Sequence, residues 1–163
     1  MSKIDLVKQH ELSWLFLDAM DLLQRGRRYG ALLLLLCAVD ALAVRAYPGA
    51  RFGDRFKDYL KVKLPAQTRI QTINIRVPKR EQVLPLEYIL YKYLRNPVVH
   101  EGAHLDVDQP SRFEVSIDWS NEAASIRIDD DSNQVVLGGN FVINILKGIV
   151  TDGLIEDIAK HGT

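Results

Sequence analysis

Residues 30–43 read GALLLLLCAVDALA, and this stretch decides the fold. Its apolar side chains cover every side of a helix, and Asp40 is the one charged residue among them. A helix that is apolar all round must be surrounded by other elements. The apolar run at 31–44 spans 14 residues with Asp40 inside it, whereas a membrane-spanning helix needs about 20. We therefore predict a buried core helix, beginning near Arg27 or Arg28 and ending near Tyr47.

Further segments on both sides of this core helix repeat at the helical period. Apolar residues three and four apart, bounded by Gly or Pro, predict amphipathic helices over about residues 8–25, 52–64 and 86–94. A last helix is predicted over 140–161, with Asn140 as its N-cap. The chain is therefore expected to be mainly α, a bundle of four to five helices.

Alternating apolar residues predict a short β region before the last helix. The alternation runs through 113–119, 124–128 and 135–137, with polar turn residues between the runs, as in an antiparallel meander. Residues 66–84 fit a short strand or an exposed loop equally well. We predict a single domain over 1–163, made of a helical core at 1–105, a small antiparallel β meander inserted at 106–139 and a C-terminal helix at 140–161.

Composition excludes several classes of protein. Cys37 is the only cysteine, so neither a disulfide framework nor a cysteine-based zinc site can form. His10 and His161 stand far in sequence from His100 and His104, and no metal site is predicted. The first residues lack the apolar core and cleavage site of a secretory signal. We expect a cytoplasmic protein that does not bind a membrane.

The net charge of zero hides two segments of opposite sign. Residues 51–80 carry nine Lys or Arg against two Asp, whereas residues 101–163 carry twelve acids against four Lys or Arg. Such a polarity suits a surface that binds a polyanion. A solvated helix face with an acidic tail region is the alternative.

The sequence RNPVVHE, at 95–101, holds residue types that can act on a phosphodiester. An imidazole titrates near pH ~6.5, so His100 can take or give a proton at cellular pH. The guanidinium of Arg95 offers a planar fork of donors to a phosphate and can stabilise developing charge. Alternatively, His100 is a cationic ring that interacts favourably with the helix dipole at a helix C-terminus, and Arg95 is an ordinary surface charge.

The segment LEYILYKYLRNPVVHEGA, at 86–103, together with the apolar helix at 30–43, resembles the HEPN family. The family pattern is an Arg, four to six residues and a His near the end of a late helix, often with a polar residue directly after the Arg. Arg95, Asn96 and His100 match this pattern. The resemblance covers about the first 105 residues and implies a HEPN-like helical bundle.

The resemblance also implies an activity, metal-independent endoribonuclease cleavage with Arg95, Asn96 and His100 as catalytic residues and no cofactor. RNA would be the substrate, the protein would be a toxin or defence effector, and an inhibitor or antitoxin protein would be a partner. The expected RNA-binding residues are Arg55, Lys57, Lys61, Lys63 and Lys92. The alternative is a non-catalytic HEPN module that binds RNA, a nucleotide or a protein partner.

Two further expectations concern the surroundings of the motif. HEPN domains often carry a polar or acidic residue on the core helix, so Asp40 is expected to support Arg95 or His100. A structural salt bridge to another Arg is the alternative. A helical wheel places Tyr88, Tyr91 and Val99 beside cations on one face, which resembles an interface more than a solvated surface. The resemblance implies a homodimer through this face, and a second packed layer within the monomer is the alternative.

Overall fold

The computed structural model describes residues 2–95, 113–120 and 125–162. The chain divides into two compact units, of which the first comprises residues 1–69 and 145–163 and the second residues 70–144. The described part is mainly helical with two small sheets, as predicted. The HEPN arrangement and the single domain stay predictions.

The first unit is entirely helical within its described residues. Its elements are α1 (Lys3–Val7), α2 (Ser13–Gln24), α3 (Arg28–Ala46), α4 (Phe52–Thr68) and the C-terminal part of α6 (Gly139–His161). Both α2 and α4 pack against α3. The predicted core helix is confirmed, because α3 buries eight apolar side chains: Ala31, Leu32, Leu35, Leu36, Ala38, Val39, Leu42 and Ala43.

Among the described residues, α3 is the one helix whose length and composition would allow it to cross a membrane. The same test is met by the core helix of a soluble protein and by a signal sequence near the N-terminus. The burial of its apolar side chains is that of a core helix.

The helix predicted over 8–25 is shorter than expected at its start. It begins at Ser13, and residues 8–12 form the turns that connect α1 to α2. Its predicted stop at Gly26 is correct: Gly26 adopts φ +72°. The N–H groups of Gly26 and Arg27 donate to the carbonyls of Leu23 and Leu22. This pair of bonds is the Schellman motif, which satisfies the last carbonyls of a helix.

The second unit begins with a β-hairpin. Residues 66–84, for which the sequence fitted a short strand or an exposed loop equally well, therefore contain a strand. Strands β1 (Asn74–Arg76) and β2 (Val83–Pro85) pair antiparallel, with Ile75 opposite Leu84. The predicted helix at 86–94 follows as one α-helical turn, α5 (Leu86–Ile89), and then a π-helical segment (Leu90–Arg95).

The prediction of an antiparallel meander is wrong. Strands β3 (Glu114–Asp118), β4 (Ile126–Asp129) and β5 (Gln134–Gly138) form a mixed sheet in the order β3-β5-β4. The β3–β5 pair is parallel and the β4–β5 pair is antiparallel. Residues 135–137 are all buried, as expected of a central strand with both faces covered. Alternation in sequence locates strands but does not fix their order.

The last helix, α6, starts directly where β5 ends. The helix begins at Gly139, so Asn140 lies inside it and its predicted N-cap role is wrong. A Cβ atom on Gly139 would lie 2.2 Å from Cε3 of Trp119. A glycine is therefore needed here so that the indole can pack against the helix start.

Candidate functional site

Arg95 is the last residue of the π-helical segment and is almost completely buried, with 1% of its surface exposed. Its guanidinium carbon lies 5.9 Å from the centre of the Tyr91 ring, within the range of a cation–π contact. Arginine is rarely buried without a partner, and π-helical turns frequently lie at functional sites. The burial and the π-helical backbone therefore mark Arg95, the first residue of the motif, as a position with a specific role.

The π-helical turn changes the geometry that the helical wheel assumed. In an α-helix, residues four apart are offset by about 40°, at 100° per residue. A π-helix bonds residues five apart and has a wider turn, so Tyr91 and Arg95 lie more nearly above one another. This alignment accounts for the contact between their side chains.

Lys92 lies among aromatic rings of the same segment. Its ammonium donates to the Tyr88 hydroxyl at 3.0 Å and lies 5.5 Å from the centre of the Tyr88 ring and 5.8 Å from that of Tyr93. Tyr93 in turn lies 4.9 Å from Phe113, between ring centres. Tyr88 and Tyr91 are both half-buried. Each predicted interface tyrosine therefore contacts a cation and keeps part of its surface exposed.

Of Asn96, Val99, His100 and Asp40, the structure describes Asp40 alone. Asn96, Val99 and His100 lie outside the described residues. Asp40 lies on α3 in the first unit and is half-buried. Its support of Arg95 or His100 stays a prediction.

The predicted RNA-binding residues of α4 do not form one face. At 100° per residue, Lys57 and Lys61 lie about 40° apart, whereas Arg55 lies about 160° from Lys57 and about 80° from Lys63. Lys57 pairs with Asp54 at 3.1 Å, and Lys63 pairs with Glu156 and lies 5.6 Å from the centre of the Tyr59 ring. Arg55 stacks over Phe52 at 4.6 Å. Lys61 is exposed. Two of these four charges are therefore already neutralised by acids.

A buried polar cluster in the first unit was missed by the sequence analysis. His10, 4% exposed, places Nε2 2.8 Å from Oδ2 of Asp157, and its Nδ1 accepts from the backbone N–H of Leu12 at 2.9 Å. The Nε of Arg45 donates to the same Oδ2 at 2.8 Å, and Arg45 also pairs with Glu11. His10 and Asp157 are 147 residues apart, so no local pattern could have revealed the pair.

The electrostatics of this cluster favour an ionised Asp157. Burial by itself would raise the pKa of its carboxyl, but hydrogen bonds from His10 and Arg45 outweigh this and lower the pKa. Since Nδ1 of His10 accepts from Leu12, the proton of the neutral ring is on Nε2, where it donates to Asp157. The cluster ties the α1–α2 connection to α6.

Arg76 and Asp130 form an exposed ion pair in the second unit. Arg76 of β1 binds both carboxylate oxygens of Asp130, at 3.1 and 2.7 Å, and the backbone N–H of Lys79 donates to Asp130 at 2.7 Å. These hydrogen bonds, chiefly that from Arg76, lower the pKa of Asp130 to about 2. Asp130 therefore joins the β1–β2 hairpin to the β4–β5 turn.

Within 2–95, 113–120 and 125–162, no group of three His, Cys, Asp or Glu side chains is arranged to hold a metal ion. Comparison with family models, curated proteins and solved structures found no match for this chain.

Proposed function

We propose that this protein is a metal-independent endoribonuclease whose catalytic residues are Arg95, Asn96 and His100. The observation that carries the proposal is the burial of Arg95 at the end of a π-helical turn, against Tyr91. That arginine begins RNPVVHE, which supplies a proton-transfer group, the imidazole of His100, five residues later. A guanidinium withdrawn from water interacts with phosphate more strongly than an exposed one, because the local dielectric constant is lower.

The proposed reaction uses the substrate's own 2′-hydroxyl as the nucleophile. An imidazole accepts the 2′-hydroxyl proton while the 2′-oxygen forms a bond to phosphorus. The bond from phosphorus to the 5′-oxygen breaks, and an imidazolium gives that oxygen a proton. Arg95 stabilises the negative charge on the phosphorane oxygens. The products are a 2′,3′-cyclic phosphate and a 5′-hydroxyl, and DNA is resistant because it lacks the nucleophile.

A second candidate is a non-catalytic HEPN module that binds RNA, a nucleotide or a protein partner. The same burial of Arg95 favours it, since a side chain that is 1% exposed must become accessible before it can touch a phosphate. In this case Arg95 would hold the fold of the motif segment without contacting substrate. A cleavage assay with variants separates the two candidates.

The test is cleavage of a fluorescent single-stranded RNA in excess chelator, with the matched DNA as the control substrate. We expect cleavage of the RNA alone, with a cyclic phosphate end identified by mass spectrometry. His100→Ala should reduce the rate at least about a hundredfold, the scale of a general acid-base group. Asn96→Ala should cost less.

Arg95 requires a variant that preserves packing. Because its side chain is buried, Arg95→Ala would also leave a cavity, so Arg95→Lys, which keeps the charge but loses the planar fork, is the better variant. We expect it to lose at least about tenfold in rate while melting close to the native temperature. Strict dependence on a divalent ion, or full activity of His100→Ala, would contradict the proposal and favour the non-catalytic module.

The cellular role belongs to the same proposal. We propose a cytoplasmic homodimer that acts as a toxin or defence effector, held in check by an inhibitor or antitoxin protein. Toxicity on expression that is relieved by His100→Ala would support this role.

A further inference from the structure

The first unit contains a pocket of about 410 Å³ that the predicted ribonuclease site does not use. Its walls come from the C-terminal end of α3, from α4 and from the C-terminal half of α6. One part is apolar and formed by Leu42, Ala46, Pro48 and Val62, with Tyr47 beside it. The other part is charged and formed by Arg45, Lys63, Glu156, Asp157, Lys160 and His161. This volume falls in the ordinary range of small-molecule sites, about 300–1,000 Å³.

The charged wall has more available donors than acceptors. Three cationic side chains face two carboxylates, even without His161. Both carboxylates are already used: Glu156 pairs with Lys63, and Asp157 accepts from His10 and Arg45. Lys160 has no ion-pair partner among the residues that the structure describes. A cationic ligand would therefore be repelled by Lys160, and neither carboxylate would be free to pair with it.

Tyr59 supplies a further donor in the pocket wall. The residue is 4% exposed, and its hydroxyl lies beside Gly153 in the pocket wall. Burial, reinforced by the charges of Glu156 and Asp157, raises the pKa of this hydroxyl well above its ordinary value. The hydroxyl stays protonated at all physiological pH values and can donate to an acceptor in the pocket.

The Tyr59 hydroxyl packs against Gly153, where a side chain would clash with it. A Cβ atom at this position would lie 2.2 Å from the hydroxyl oxygen and 2.8 Å from Cδ1 of Leu42. Both distances are too short for any side chain larger than hydrogen. The absence of a side chain at Gly153 therefore lets the Tyr59 hydroxyl and Leu42 pack against the backbone of α6 in the pocket wall.

From these features we infer that this pocket binds a small organic anion, a carboxylate or phosphate head group on an apolar body. The head group accepts from the Tyr59 hydroxyl and pairs with Lys160, and the body lies on Leu42, Pro48 and Val62. The inference does not depend on the proposed ribonuclease activity, because none of these residues belongs to the motif. Binding here also does not require a metal ion.

The test is a ligand-observed NMR titration of the full chain at constant ionic strength, with phenyl phosphate, benzoate and inorganic phosphate as probes. We expect saturable binding of at least one aromatic anion, and the comparison of the two identifies the head group. Inorganic phosphate should bind at least about tenfold more weakly, since it has no apolar surface to bury. Equal binding of inorganic phosphate would contradict the apolar part of the site.

Variants then locate the site. Tyr59→Phe and Lys160→Gln should each raise the dissociation constant of the bound aromatic anion about tenfold or more, as expected when a hydrogen bond to a charged group is lost. Lys8→Gln is the matched control, because Lys8 is an exposed cation outside the pocket, and it should bind as the unmodified chain does. Absence of saturable binding by both aromatic anions, or identical binding by all variants, would overturn the inference.

Discussion

Nε2 of His10 lies 2.8 Å from Oδ2 of Asp157, and this contact joins the turn before α2 to the last helix of the chain. Both ring nitrogens are engaged, since Nδ1 accepts from the N–H of Leu12. Removal of the ring would leave two polar groups in a buried place without this partner. The pair is therefore a specific contributor to the stability of the first unit.

We predict that His10→Ala lowers the free energy of unfolding by roughly 2–4 kcal/mol, from lost packing and from unsatisfied buried polar groups. Urea unfolding followed by circular dichroism measures the change. His161→Ala is the matched control, because His161 is exposed and lies 3.8 Å from the other Asp157 oxygen; it should change stability by less than about 0.5 kcal/mol. Equal stability of the two variants would show that the His10 contact does not stabilise the fold.

The lowered pKa of Asp130 predicts that the stability of the protein depends on pH in the acid range. Its pKa is lowered to about 2 by Arg76 and the Lys79 N–H, below the ordinary value of 3.8. Between these two values the unfolded chain binds the proton and the folded chain does not, so stability rises with pH across this window. Its contribution is fully present above pH ~4 and is lost as pH falls towards 2.

The measurement is the midpoint of urea unfolding at several pH values between about 2 and 5. Asp130→Asn removes the titrating group, so its stability should fall less steeply below pH ~4 than that of the unmodified chain. Asp131→Asn, a change at the exposed neighbouring position, serves as the control and should preserve the native slope. An unchanged slope in Asp130→Asn would mean that the Arg76 pair is absent in solution.

The ion pairs of α4 determine which of its lysines is best replaced in a test of RNA binding. Lys63 is paired with Glu156 and Lys57 with Asp54, so their replacement would also break ion pairs. Lys61 is exposed on the same side as Lys57 and is the cleaner variant. If Lys61 contacts a phosphate, Lys61→Gln should reduce the magnitude of the slope of log affinity against log salt by about 0.7 on single-stranded RNA. The reason is that one phosphate contact is lost and fewer counterions are released on binding.

Filter binding of RNA at several salt concentrations measures this slope. Lys8→Gln again provides a control with the same change of charge at another exposed position. The same slope for Lys61→Gln and for the unmodified chain would identify α4 as an ordinary solvated face.

The sequence predicted those elements whose signal is local. The core helix follows from an apolar run that leaves no polar side, and the end of α2 follows from one glycine with positive φ. The order of the strands was not predictable, because the parallel β3–β5 pair depends on contacts that span the whole sheet. The π-helical turn was also missed, since a pattern of apolar residues does not distinguish a π-turn from an α-turn.

The candidate site shows the same division. Arg95 was identified from a local motif, and its burial and contact with Tyr91 give that residue physical significance. The His10–Asp157 pair joins residues near opposite ends of the chain, and the pocket beside Tyr59 combines residues of α3 and α4 with residues of α6. No spacing rule applied to a single sequence identifies such pairs.

The last prediction is a two-fold homodimer through a surface that includes Tyr88 and Tyr91. A single chain carries one motif imidazole, yet cleavage is served by a base and an acid, and a two-fold axis supplies the second imidazole. Both tyrosines are half-buried and each contacts a cation of the π-helical region. Tyr91→Glu places a carboxylate on this surface and a second one across the axis, so like-charge repulsion should dissociate the dimer.

Sedimentation velocity and the RNA cleavage assay test this arrangement together. Tyr91→Glu should sediment as a folded monomer and lose cleavage, whereas Tyr91→Phe, which keeps the ring beside Arg95, should remain an active dimer. A mixed dimer of one Arg95→Lys chain and one His100→Ala chain should regain part of the activity if each cleft combines residues from both chains. A fully active monomer would exclude a shared cleft, because every group needed for cleavage would then come from one chain.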